Sequence, residues 1–63
     1  MLREDKIKFW SYSKAGARAE AKALKVLAGG AVNPEHRAEF LVEANLKNIE
    51  ADVYQLKEQE ARA

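Results

Sequence analysis

The chain has no cysteine, a single proline, three glycines and few aromatic side chains. Without cysteine there is no disulfide framework, no thiolate zinc site and no redox-active thiol. No apolar run is long enough for a signal peptide or a membrane span, and the first residues are charged (Arg3, Glu4, Asp5, Lys6). A cytoplasmic protein with no membrane partner is therefore expected. The one proline is Pro34, and Gly16 is the only glycine before Gly29 and Gly30. Two long stretches thus carry almost nothing that would break a helix.

What is present is length for one domain and a composition suited to helices. Of the 63 residues 48% are hydrophobic and 33% charged. At this size a lone core rarely supplies more than roughly 3–5 kcal/mol unless disulfides, a metal or a second chain assist it. Oligomerisation is the expected route here. The net charge of +1 conceals an uneven distribution. Residues 1–28 hold seven basic and three acidic side chains, whereas 33–63 hold four basic and seven acidic. Two arms of opposite sign suit an antiparallel hairpin whose halves attract each other.

From Leu2 to Ala28 the dense Ala, Lys, Arg, Glu and Leu content predicts a helix, with Ser11 or Ser13 available to cap a later start. Gly29 and Gly30 are expected to end it through the positive φ that glycine tolerates, leaving Lys22 and Lys25 near the negative end of the helix dipole. Asn33, Pro34 and Glu35 then mark a helix start: a capping side chain, a residue with no N–H to leave unsatisfied, and an acidic group at the positive helix end. The second helix runs unbroken to about Arg62. The expected fold is all-α, an antiparallel helical hairpin that dimerises into a four-helix bundle. It is one domain over 1–63, with a helix over about 2–28, a turn over 29–33 and a helix over about 34–62.

Each helix carries two apolar faces. On the first, Trp10, Ala17, Ala21, Leu24, Leu27 and Ala28 form one seam, while Leu2, Phe9, Tyr12, Gly16, Ala19, Ala23 and Val26 form another. Small residues at Gly16, Ala19 and Ala23, followed by Val26, let helix backbones approach closely and suggest the dimer seam. On the second helix Val42, Leu46, Ile49, Val53 and Leu56 follow a heptad rhythm and are expected to form the main core stripe. Phe40, Ala44, Ala51 and Tyr54 keep the same rhythm on the other side. A helix apolar on two sides needs two neighbours, and one hairpin supplies only one.

Candidate chemistry is sparse. Phe9, Trp10, Tyr12, Phe40 and Tyr54 are the candidate partner-binding anchors, because aromatic residues dominate interface hot spots. Lys14, Arg18, Lys22 and Lys25 form a cationic stripe able to follow a phosphate backbone, the basis of an alternative nucleic-acid-binding reading. His36 with Glu35, Glu39 and Glu43 has ligand types but lacks the core carboxylates of a helical metal site, so no metal or cofactor is expected. Ser11 and Ser13 have no base to activate them, and no catalytic residue is identified. The expectation is a non-enzymatic, homodimeric regulator or inhibitor that binds a target protein. Nucleic-acid binding and a structural spacer are the alternatives. In size and architecture alone, this is analogous to the small two-helix stoichiometric regulators of plasmids and phages.

Overall fold

The computed structural model describes residues 2–63. Two helices, α1 (Arg3–Gly30) and α2 (Pro34–Arg62), pack against each other as an antiparallel hairpin. The molecule is a rod of 47 × 13 × 13 Å. Its radius of gyration is 14.5 Å, against about 10.6 Å for a compact domain of this length.

The helix ends depart from expectation in two places. Ser11 and Ser13 cap nothing: α1 already begins at Arg3, and Ser13 Oγ donates back to the Phe9 carbonyl at 2.9 Å from inside the helix. The run of helix formers extends past both serines, and Glu4 and Asp5 meet the positive end of the dipole instead. Gly29 and Gly30 are also helical, and no glycine among the described residues has a positive φ. The chain leaves α1 at Ala31, in extended geometry (φ −75°, ψ 126°), with its N–H donating to the Ala28 carbonyl at 3.2 Å. Asn33 is extended too (φ −77°, ψ 122°), as the residue before a proline prefers. Because α1 is longer than expected, its last turn holds no basic residue, and Lys22 and Lys25 lie upstream of it. The start of α2 follows its sequence signal: Asn33 Oδ1 accepts from the Glu35 N–H at 2.8 Å, with Pro34 in the first turn.

The buried apolar residues are all alanines: Ala17, Ala21 and Ala28 from α1, Ala44 and Ala51 from α2. Trp10, Leu24, Phe40 and Tyr54 flank them half-buried. This overturns the expected core of α2. Val42, Leu46 and Ile49 are each 58% exposed, and Val53 and Leu56 are exposed as well. At about 100° per residue they lie roughly opposite Ala44 and Ala51. The reason lies in what accompanies each face. Turning the Val42 stripe inward would rotate Ala44, Ala51 and Tyr54 out and carry Glu58 away from Lys14. Leu27, expected in the inner seam of α1, is likewise 53% exposed at the rim. Five buried alanine methyls contribute about 4 kcal/mol, no more than two buried leucines.

Candidate functional site

The hairpin presents two edges, where each helix faces away from the other, and two broad faces that expose both helices. The α1 edge carries Tyr12 and Val26, both exposed, with Tyr12 at 85%; Phe9, also exposed, borders the groove between the helices beside Trp10, Glu60 and Ala61. Ala19 and Ala23 lie exposed between Tyr12 and Val26, while Gly16 borders the groove beside Glu20, Lys47 and Tyr54. An alanine Cβ built at Gly16 would meet nothing within 4 Å, so no close helix approach occurs there within one hairpin. The α2 edge carries the Val42, Leu46, Ile49, Val53 and Leu56 row. Both apolar rows are therefore open, and they point in roughly opposite directions.

The broad faces carry the polar links between the helices. On one, Lys14 Nζ donates to Glu58 Oε2 at 2.8 Å and to Gln55 Oε1 at 2.6 Å. Arg18 there donates to Asp52 at 2.7 Å and to Asn48 at 3.1 Å. On the other face Lys47 pairs with Glu20 at 2.9 Å and with Glu50 at 3.4 Å, and the Tyr54 hydroxyl donates to Glu50 Oε1 at 2.6 Å. Glu58 is the one buried charged side chain among the described residues, and it also accepts from Arg62 at 3.2 Å. These partners set the protonation equilibria. Hydrogen bonds from Lys14 and Arg62 hold the Glu58 carboxyl below its ordinary range, despite burial that works the other way. The Tyr54 hydroxyl and then the Lys47 charge lower Glu50, and the bond to Glu50 raises Tyr54. The Glu20 carboxylate raises Lys47.

The candidate anchors separate into three places. Trp10 stacks on Tyr54 across the hairpin (centroids 5.8 Å, planes at 27°), and Phe9 meets Trp10 edge-on at 4.8 Å. Tyr12 stands apart on the α1 edge, beside a depression of about 540 Å³ lined by Asp5, Lys8, Phe9, Tyr12 and Ser13. Phe40 is half-buried on the inner face of α2. The cationic stripe is also divided: Lys14 and Arg18 are committed to α2, while Lys22 and Lys25 make no ion pair among the described residues. The seven-residue rhythm of Val42 to Leu56 marked a real apolar row; its role as an outer edge was missed because periodicity does not say which of two faces meets the other arm.

Among the described residues no cluster of His, Asp or Glu is placed to hold a metal ion, and no helix is long and apolar enough to cross a membrane. Comparisons with protein-family models, curated proteins and solved structures find no significant match to this chain.

Proposed function

We propose that the chain is a small non-enzymatic protein-binding module, an adaptor or inhibitor that works as a homodimer. The observation that supports this reading is the inverted distribution of apolar side chains: alanines fill the interior while Val, Leu, Ile, Phe and Tyr side chains remain exposed along both helices. Scattered exposed apolar residues are ordinary, but continuous rows of them mark surfaces that meet another protein. Tyr12 and Phe9 are the side chains best placed to anchor a target, being large, exposed and beside an open depression.

Two hairpins contribute four helices. A square four-helix bundle would bury the broad faces and with them the Lys14, Arg18, Glu20, Lys47 and Glu50 networks, at a desolvation cost that apolar contact would not offset there. Contact through the edges avoids that cost and lays the four helices in a row.

The nucleic-acid reading has less support, because Lys14 and Arg18 already have carboxylate partners in α2. A structural spacer would use both edges for copies of itself and grow beyond a dimer.

The test is affinity capture from the source cell with the wild-type chain and a Phe9→Ala/Tyr12→Ala chain as baits, alongside sedimentation velocity. The expected result is a concentration-dependent dimer and a captured protein that the double variant loses. A monomer at every concentration with unchanged capture overturns the reading. Low-salt mobility shifts of RNA or DNA that vanish on Arg18→Glu/Lys22→Glu would favour nucleic-acid binding instead.

A further inference from the structure

We infer that the second copy of this chain docks along the α2 edge, antiparallel and about a two-fold axis. In this arrangement the partner's Leu56 lies against Leu46, and the partner's Val53 against Ile49. The inference rests on the reading that the chain acts as a homodimer and specifies the surface and the alignment.

The α2 edge has heptad character over Val42, Leu46, Ile49, Val53 and Leu56, the pattern that packs knobs into holes between two helices. The inner face of α2 is taken by α1, so this row has no partner within the chain. In an antiparallel pair the two heptad core positions alternate across the seam. That rule brings Leu46 onto the partner's Leu56 and Ile49 onto the partner's Val53, and the two-fold repeats both layers.

The same alignment fixes what happens at the rims. Glu43 and Lys57 flank the row on one side, both exposed, Lys57 with a loose 3.9 Å contact to Glu60 of its own chain. They stand about 21 Å apart along one helix and cannot meet within a chain. The antiparallel two-fold sets Glu43 opposite the partner's Lys57, and does so twice. On the other rim Asn45 falls opposite the partner's Gln59, an amide pair that is also repeated. At each end of the seam Val42 meets the partner's Glu60. Among the rim pairs like charges meet only near the axis, Glu50 with its counterpart and Asp52 with its counterpart. Each of these is already held by a cation of its own chain, Glu50 by Lys47 and Asp52 by Arg18. A parallel pairing loses the Glu43 to Lys57 contacts.

The row spans only about 21 Å of helix, which puts the contact at the small end of specific interfaces and makes the dimer reversible. It also leaves the α1 edges, with Tyr12 and with Phe9 beside it, accessible at the two outer sides of the four-helix row. One dimer thus offers two target surfaces facing away from each other.

Charge reversal at the rim tests the alignment without touching the hairpin interior. Sedimentation equilibrium is run on the wild type, Glu43→Lys, Lys57→Glu, the double reversal, and an equimolar mixture of the two single variants, with circular dichroism confirming equal helicity. Each single reversal is expected to weaken the dimer about tenfold, since two attractive rim pairs become repulsive. The double reversal restores wild-type affinity. The mixture restores it too, because a chain with lysine at both positions then faces one with glutamate at both. A monomeric wild type, dimerisation indifferent to the single reversals, or a double reversal that rescues nothing each overturns the inference. Such an outcome beside a captured protein still lost on Phe9→Ala/Tyr12→Ala would leave target binding standing while removing this dimer.

Discussion

Lys14 Nζ lies 2.8 Å from Glu58 Oε2 across the helix pair, and Glu58 is 6% exposed. A carboxylate that is nearly removed from water needs its cation, because an unpaired charge there would be strongly disfavoured. The pair joins the first half of α1 to the last turns of α2 and holds the ends of the rod together.

Acid should loosen the hairpin. Lys14 and Arg62 hold Glu58 below its ordinary value of 4.5, so its ionised form favours the folded state. That stabilisation is fully present above the ordinary value and is lost as pH falls through the lowered one. Thermal melts followed by circular dichroism from neutral to strongly acidic pH should show the loss begin below about pH 4.5. Glu58→Gln should flatten that dependence.

Alkali acts through the other broad face. Tyr54 and Lys47 are both raised, by Glu50 and by Glu20 respectively. The stability they contribute is present below their ordinary values of 10.0 and 10.5 and is lost as pH rises through the raised ones. Tyr54→Phe keeps the ring against Trp10 and removes the hydroxyl. Its melts should respond less steeply to alkali than the wild type's.

The two faces of α2 should answer oppositely to substitution. Ala51 is fully buried, and Ala51→Leu forces the helices apart at a cost of about 1–3 kcal/mol. Ile49→Ala changes an exposed residue and should alter the hairpin's own stability by no more than about 0.5 kcal/mol. Denaturant unfolding at a dilution where any assembly has dissociated measures both. A large loss from Ile49→Ala under those conditions would put the Val42 stripe back in the core.

Trp10→Ala removes the stack on Tyr54 and the edge contact with Phe9. For a half-buried ring the expected cost is about 2 kcal/mol, below that of a fully buried one. Denaturant melts followed by helicity give the number. Tyr12→Ala, on the open edge, should leave it unchanged.

Glycine substitutions separate the isolated hairpin from any assembly. Gly16, Gly29 and Gly30 lie in helical backbone, with room for a Cβ at each. Replacing any of them by alanine should stabilise the single hairpin by about 0.4–1 kcal/mol. If Gly16→Ala does so yet weakens association, a neighbour approaches α1 closely at Gly16; equal association leaves that flank of α1 clear of the dimer contact.

Much of this architecture is legible in the residues. The breaker-free arms, the short connection and the Asn33, Pro34, Glu35 start each have a local physical cause, and local causes survive folding. The assignment of inner and outer faces does not have one. Val42 to Leu56 outweighs Ala44 and Ala51 in transfer energy, and a rule that buries the larger side chains chooses it. The hairpin selects the alanine face because that rotation also brings Lys14 to Glu58, Trp10 to Tyr54 and Glu20 to Lys47. Those are contacts between distant positions, and periodicity within one helix is blind to them. Gly29 and Gly30 mislead for a related reason: glycine permits a left-handed cap without requiring one, and Ala31 turns the chain in ordinary extended geometry.

A seam floored by alanine methyls is smooth. Large interlocking side chains resist a helix sliding along its neighbour, whereas a row of methyl groups offers similar contact after a shift of one turn. The stops against such sliding are the Trp10 and Tyr54 stack and the polar links at the rims: Lys14 with Glu58, Arg18 with Asp52, Glu20 with Lys47. Most of those links are electrostatic and partly exposed, so added salt weakens them while leaving the methyl contacts intact. The longitudinal alignment of the two arms is thereby tied to ionic strength more closely than their association is.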